Sequence, residues 1–438
     1  MKKFENGTSF TVIIPCKNRA KYLVHTLRTC SMQNYDNLDI VVSDDGSTDS
    51  TRDVVEDAIR RDPRIRLILH DHSIGMRDNF EYALNEVKPG FVIALGSDDG
   101  LLPDGIAGMF EVLQKTGMEL LAWPTPLYVY PGVRGDHGQL IMYNTQGERI
   151  IESRTFLKRQ AKKLHYLSDF ESPMFYVKGV TSTRLINQVR SRSADHRFYA
   201  CATPDGYSGI VLAGEVEKYA FSGRPFSIYG LSPFSQGLAY LSNDDEAKKA
   251  SEAFYRKSSE IPMHQDLSSM PYSPLITLMT VDYLLRSRDL EGWPGEFPEI
   301  DYRKVIKQSI QELSHGLYGG ERINRELAIL NQIAKQHGIS DYLRNLIKNG
   351  RRKPIKAPFE GSGISPSAFF LDASTFKIHD IYEAAYAVKD YYQLYLNTGI
   401  NVILRAMMRS IKYRLSSVGI GEPFPSESEW AFIDPNDF

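Results

Sequence analysis

Ile40-Val41-Val42-Ser43-Asp44-Asp45-Gly46-Ser47-Thr48-Asp49 is the stretch that decides the fold. It opens as a β-branched apolar run and stops on two carboxylates, a glycine and two hydroxyls. Val54, Val55, Ala58 and Ile59 then follow at helical spacing. An apolar run bounded by turn residues and followed by a 3.6-residue period reads as strand, loop, helix. The same unit stands upstream, where apolar residues 10–15 give way to Lys17-Asn18-Arg19 and then to Tyr22, Leu23 and Leu27. Downstream, 65–69 leads through a polar loop with Gly75 to a helix over 79–87, and 91–95 enters Gly96-Ser97-Asp98-Asp99-Gly100. Repeated strand–helix units make an α/β fold with a mostly parallel sheet flanked by helices. In open sheets of this kind ligands collect outside the carboxyl ends of the strands, and here those ends carry Asp44, Asp45, Asp98 and Asp99.

The alternation breaks near residue 123, where Pro124, Pro126, Pro131, Gly132, Gly135 and Gly138 surround short candidate strands at 127–130 and 140–143. A helix is expected over 153–168, a strand over 174–178 and a helix over 182–189. A glycine- and proline-rich stretch, 201–233, then contains Asp205. A catalytic unit 1–235 is expected to end there. Helical periodicity over 244–256, 274–288, 301–315, 320–336 and 339–348 makes 236–438 mainly α-helical, with a loop at 349–366 and helices again over 376–396 and 399–415.

With 438 residues, of which 42% are hydrophobic and 24% charged, the chain is long enough for two or three domains, and disordered or fibrous classes are excluded. The 52 Lys+Arg against 54 Asp+Glu give a net charge of -2, so no global field favours a polyanion, and no recognisable nucleic-acid module is present. Cys16, Cys30 and Cys201 cannot all pair and lack zinc-site spacing, which fits a reducing, cytoplasmic setting. The N-terminus lacks the apolar core of a secretory signal, and no apolar run is long enough for a spanning helix. Ile403, Leu404, Met407, Met408 and Ile411 with Arg405, Arg409, Lys412 and Arg414 permit an amphipathic helix on anionic lipid, although ordinary packing against the helical half explains the pattern more simply. The tyrosines of 382–395 suit a core or an oligomer interface.

Two acidic clusters at successive strand ends suit a divalent cation beside a polar ligand, because a hard cation prefers carboxylate oxygens and neutralises adjacent phosphate. Turn formation and helix capping are the competing use of the same residues. GxGxxG and GxxxxGKS/T loops are absent from the places where they would signal nucleotide binding. In Thr203-Pro204-Asp205-Gly206-Tyr207 the proline and glycine restrain a turn that could present one carboxylate to a cleft as a general base, or simply cap a helix. Arg77, His70, His72 and His196 read as ordinary surface or packing residues.

The ordered succession Thr11-Val12-Ile13-Ile14-Pro15-Cys16-Lys17-Asn18-Arg19, Ile40 to Asp49, Gly75 with Asn79, and Gly96-Ser97-Asp98-Asp99-Gly100-Leu101-Leu102-Pro103 resembles the family 2 glycosyltransferases of the GT-A, Rossmann-like fold. The resemblance implies nucleotide-sugar contacts at Pro15, Asn18, Asp44, Asp45, Gly75 and Asn79, with Asp45 on the uracil. It further implies a sugar-nucleotide contact at Asp98, a direct Mn²⁺ or Mg²⁺ ligand at Asp99 with Asp98 beside it, and a general base at Asp205. Many members carry an aspartate where this chain has Gly96, and Pro204-Asp205 stands where an acidic pair is frequent. The activity implied is inverting transfer from a nucleoside-diphosphate sugar, a UDP-sugar first, to a saccharide or lipid-linked saccharide acceptor in cell-envelope or surface-polysaccharide synthesis. The expected setting is cytoplasmic, with peripheral contact at the inner face of the cell membrane and a homo-oligomer as further options. Two other readings stay open: a sugar nucleotidyltransferase, and a non-catalytic carbohydrate-binding or scaffold protein, which Gly96 and the unmatched helical half would favour.

Overall fold

The computed structural model describes residues 4–5, 7–133, 135–145, 147–235, 245–315, 320–353, 361–365 and 367–395. The helix expected over 399–415, with its amphipathic face, lies outside the described residues. The first half begins with the expected repeats: β1 (Phe10–Cys16), α1 (Ala20–Ser31), β2 (Leu38–Asp44), α2 (Thr51–Arg61), β3 (Ile65–Leu69), α3 (Met76–Asn85) and β4 (Phe91–Ala94). Every residue of β1, β2 and β4 is buried, which is why these strands read as continuous apolar runs and not as an alternation. They pair in parallel as β3-β2-β1-β4, with Cys16 level with Asp44 at the carboxyl edge.

The chain continues through β5 (Gly100–Leu101), α4 (Gly105–Thr116), β6 (Leu120–Ala122), β7 (Leu127–Val129), β8 (Gln139–Tyr143), β9 (Glu148–Glu152), α5 (Ser153–Lys163), β10 (Gly179–Ser182), α6 (Thr183–Arg192), α7 (Asp205–Gly214), β11 (Lys218–Ser222) and β12 (Ser227–Leu231). Strands β10, β6, β11 and β9 extend the parallel core to an eight-stranded sheet of mixed direction. The helix expected over 153–168 stops at Lys163 because Leu164 turns left-handed at φ 51°, and Tyr166–Ser168 form a separate 3-10 turn. The strand expected over 174–178 is displaced to β10. Val177 has φ 59°, which breaks an extended run, and only Tyr176 bridges to Ala94.

Helices α8 (Asp245–Ser258), α9 (Ile276–Arg288), α10 (Tyr302–Leu313), α11 (Gly320–Gln336) and α12 (Ser340–Asn349) follow, then β13 (Gly363–Ile364), β14 (Ala368–Asp372) and α13 (Ile381–Tyr395). A six-stranded sheet, β13-β14-β8-β7-β12-β5, joins the late strands to the early ones. Three apolar clusters organise these layers. One face of the large sheet packs Val12, Ile40 and Ile93 against Leu27, Val55 and Ile106 of the flanking helices. The other face carries Val41 and Val92 into one continuous cluster with Tyr207 of α7, Leu284 of α9 and Leu330 of α11. The helical region therefore shares its core with the sheet that ends in the acidic loops. The third cluster sets Tyr22 of α1 and Tyr128 of β7 against Ile381 and Val388 of α13. Among the described residues no helix is long and apolar enough to cross a membrane.

Candidate active site

The loop after β1 is tied to the loop after β2. Asn18, at φ 52°, donates its backbone N–H to Ser47 Oγ at 2.7 Å and accepts from Thr48 N–H through Oδ1 at 2.8 Å. Arg19 N–H donates to Thr51 Oγ1 at 3.0 Å and Ala20 N–H to Asp49 Oδ2 at 3.1 Å. Asp44 closes this turn by accepting from the Ser47 N–H at 3.1 Å and from its hydroxyl. Asp45 points the other way. Its carboxylate accepts from Ser73 Oγ at 2.6 Å, Ile74 N–H at 2.6 Å and Gly75 N–H at 3.3 Å, and Lys17 Nζ lies 4.0 Å from Oδ2. Asn79 is buried and pairs reciprocally with Ser43, accepting from its hydroxyl at 2.6 Å and donating to its carbonyl at 3.0 Å.

The loop after β4 is a second, tighter construction. Asp99 is fully buried, with Oδ2 accepting from Gly96 N–H at 2.6 Å and Oδ1 from Gly230 N–H at 2.8 Å, so it fastens this loop to β12. Burial, reinforced by the neighbouring Asp98 charge, holds its carboxyl well above the usual range. Asp98 accepts from Ser232 Oγ at 2.6 Å and Ser235 Oγ at 3.0 Å, both at Oδ2, and Oδ1 accepts no hydrogen bond among the described residues. A Cβ at Gly96 would stand 2.6 Å from Tyr176 Oη and 2.7 Å from Asp99 Oδ2, so this packing has no room for an aspartate at that position.

Asp205 opens α7, fixed between Tyr166 and Tyr283, whose hydroxyls donate to it at 3.2 and 3.4 Å. Burial raises its pKa, against the opposing pull of the Gly206 N–H and the two phenols.

An open cleft of about 1390 Å³ joins these parts. Pro15, Asn18 and Asp45 line it from the first two strand ends, Gly75 and Asn79 from the start of α3, and Asp98 and Asp205 from further along. Asp44 and Asp99 do not line it: the first is spent on Ser47, the second on two backbone N–H groups inside the protein. Among the described residues no three His, Cys, Asp or Glu side chains gather closely enough to hold a metal by themselves. Arg77, read from the sequence as a surface or packing residue, also lines the cleft, and other parts of the wall come from residues that local sequence patterns did not single out. Tyr166, Tyr176 and Tyr229 surround the approach to Asp205, and Phe254 and Lys257 of α8 stand at the side near Gly75. The signal that could have found the tyrosines is long-range pairing with Asp99 and Asp205, which the linear order of residues does not carry.

Residues 11–176 match the family description "Glycosyl transferase family 2". The stretch that matches this family of glycosyltransferases holds β1 to β4 and both acidic loops. The glycosyltransferase GlyG of Streptococcus pneumoniae is 23% identical over 205 residues, covering 44% of this chain and 65% of its own length, just under two thirds. An uncharacterised glycosyltransferase of Haemophilus influenzae is 22% identical over 223 residues, covering 50% of this chain and 81% of its own. Among solved structures, residues 1–349 of TarS from S. aureus in complex with UDP-GlcNAc align over 80% of this chain and 97% of that one, with 13% identity and a TM-score of 0.41.

Proposed function

We propose that this chain is an inverting glycosyltransferase that moves a sugar from a nucleoside-diphosphate sugar, a UDP-sugar first, to a saccharide or lipid-linked saccharide acceptor in surface-polysaccharide or cell-envelope synthesis. The observation that carries the reading is one cleft lined by Asp45 and Asp98 at the strand ends and by Asp205 at the start of α7. The family match over 11–176 supports the donor half of the argument. Asp45, with Pro15, Asn18 and Gly75, is proposed for the nucleoside end of the donor. Asp44 and Asn79 are proposed to shape that end from behind, since their polar atoms are committed to Ser47 and Ser43. Residues 1–235 are proposed as the catalytic unit and 236–438 as the acceptor-side, assembly or docking region.

A divalent cation fits Asp98 better than a closed protein cage. One carboxylate oxygen is oriented by two serines and the other accepts no hydrogen bond among the described residues, a donor set that suits Mg²⁺ or Mn²⁺ beside substrate phosphates. When bound, such a cation offsets the charge that develops on the leaving diphosphate. Asp99 is proposed to brace the loop that presents Asp98 and not to meet the cation. On the acceptor side, Asp205 takes the proton of the attacking hydroxyl as the oxygen closes on the anomeric carbon from the face opposite the diphosphate. The unpaired, buried thiols of Cys16, Cys30 and Cys201 support a reducing, cytoplasmic setting.

The test is turnover of the purified chain with a panel of UDP- and GDP-sugars and saccharide or lipid-linked acceptors, with and without EDTA. Product should form with at least one donor and be lost on chelation. Failure of every donor to bind would overturn the reading. The raised Asp205 pKa fixes the sign of the pH dependence: the protonated carboxyl is inert, so turnover should be lost as pH falls through a midpoint above the usual carboxylate range.

A further inference from the structure

We propose that Tyr166 and Tyr283 are positioning residues for the Asp205 carboxylate, each phenol donating to a different oxygen and so fixing how the carboxylate meets the incoming hydroxyl. The inference rests on the base role proposed for Asp205. Tyr166 Oη lies 3.2 Å from Oδ2 and Tyr283 Oη 3.4 Å from Oδ1. Neither tyrosine belongs to α7, the helix that carries Asp205. Tyr166 sits in the 3-10 turn after α5 and Tyr283 on α9, so three separate elements converge on one carboxylate.

The two phenols are themselves held. The Tyr283 hydroxyl is 2.6 Å from Thr203 Oγ1, and the Tyr166 backbone N–H donates to Thr280 Oγ1 at 3.1 Å. If Tyr283 gives its only proton to Asp205, Thr203 is left to donate to the phenol oxygen, which makes a directed chain of hydroxyls. The rings meet edge to face at 5.3 Å, and they close over Gly206 so tightly that a Cβ there would stand 2.4 Å from Tyr283 and 2.6 Å from Tyr166. That crowding fixes the start of α7, and with it the carboxylate, between the two donors.

Burial pushes both phenols well above the usual tyrosine range, so they remain protonated donors wherever the enzyme works. The other titratable groups facing Asp205 are the phenols of Tyr176, Tyr199, Tyr229 and Tyr272 and the thiol of Cys201, all raised by burial and hence neutral. The Asp98 and Asp99 carboxylates lie beyond Tyr176 and Tyr229. Among the described residues no cation pairs with Asp205, and its two phenols are the side-chain groups that favour its charged form.

The experiment uses the full chain carrying Tyr166→Phe, Tyr283→Phe or both. The Asp205 carboxylate is titrated by infrared difference spectroscopy, with Asp205→Asn as the blank. Losing one donor to an ionised carboxylate should raise its pKa by about one unit. The acid limb of turnover with UDP-sugar should move upward by the same amount. On the high-pH plateau kcat should fall about tenfold with the donor KM unchanged, since a misaimed base is felt only in the transition state. If either Phe variant does not fold, 3-fluorotyrosine incorporated at position 283 replaces it. A more acidic phenol donates more strongly, so the carboxylate should then titrate lower, a sign that loosened packing does not produce. Folded variants whose carboxylate titrates as in the wild type would overturn the proposal. A wild-type chain that turns over no nucleotide sugar would overturn the function itself, while the infrared titration would still report whether the phenols hold the carboxylate.

Discussion

The carboxyl ends of β2 and β4 each present two adjacent aspartates, and the two ends use them by the same division but at different depths. At the β2 end Asp45 faces the cleft while Asp44, buried itself, ties the turn to the half-buried Ser47, beyond which the turn is exposed. At the β4 end Asp98 faces the cleft while Asp99 is sealed inside and bolts its loop to β12. Consecutive residues leaving a strand point to opposite sides, so an acidic pair offers one carboxylate for chemistry and one for architecture. The depth of the second carboxylate then decides what its loss costs. An exposed turn can hydrate its freed donors, whereas a buried loop cannot.

The position where that difference is greatest is Gly230, which donates its N–H to Asp99 while passing against Asp98. A Cβ there would fall 1.7 Å from the Asp98 carbonyl oxygen. Gly230→Ala is expected to have the largest effect of any substitution at the site, because the obstacle is backbone and cannot rotate away. Loss of soluble protein, or a destabilisation of roughly 3 kcal/mol or more, which lowers the melting temperature of a chain this long by about 3 °C or more, is the expected result. An unchanged melting curve would show that the β4 loop is not clamped as described.

The Asp98 and Asp99 pair sharpens the comparison directly. Asp98→Asn should keep the melting temperature within about 2 °C and reduce turnover by about a thousandfold, a loss of the size seen when electrostatic stabilisation of a developing charge is removed. Asp99→Asn should do the reverse. Its amide places an N–H₂ against either the Gly96 or the Gly230 N–H, leaving a buried donor unmatched at a cost of about 1–3 kcal/mol. Thermal melts and kcat measured on both variants separate the two roles. Equal losses of turnover at unchanged stability would mean that both carboxylates meet the substrate.

Much of this was legible in the sequence where the controlling interactions are local. The strands at 10–15, 38–42, 65–69 and 91–95 stood out because both faces of the sheet are covered, and the acidic loops stood out because they interrupt those runs. Of the second sheet the strands at 127–130 and 140–143 stood out and the rest did not, since β5 has two residues and β12 lies in a stretch whose glycines and prolines read as loop. The 174–178 stretch is apolar because it is buried, not because it is extended, and Val177 shows the difference. Within the site, the position of Asp205 followed from a local turn, but its partners did not. Tyr166 is 39 residues away and Tyr283 is 78, and no periodicity links a 3-10 turn to a helix. Likewise the sequence put Asp98 and Asp99 side by side without saying which would face inward, because that depends on Gly230, 131 residues later.

The smallest effects belong to the β2 end, and they are the ones that show whether the division of labour is general. Asp44→Ala frees one backbone N–H and one hydroxyl of Ser47 in a turn whose next residues are solvent-exposed, so water can replace most of what is lost. Stability should fall by about 1 kcal/mol or less, and the affinity for UDP by no more than about twofold. Asp45→Ala removes the acceptor that gathers Ser73, Ile74 and Gly75, so it unpins the loop that opens α3 as well as removing a contact proposed for the nucleoside. UDP affinity should drop by about ten- to a hundredfold, the equivalent of one lost charge-assisted hydrogen bond. Calorimetric titration of both variants with UDP reads the ratio. A ratio near one would mean that the two carboxylates of this pair are interchangeable, and that the separation of roles at the β4 end comes from the depth of Asp99 and not from the alternation of the strand.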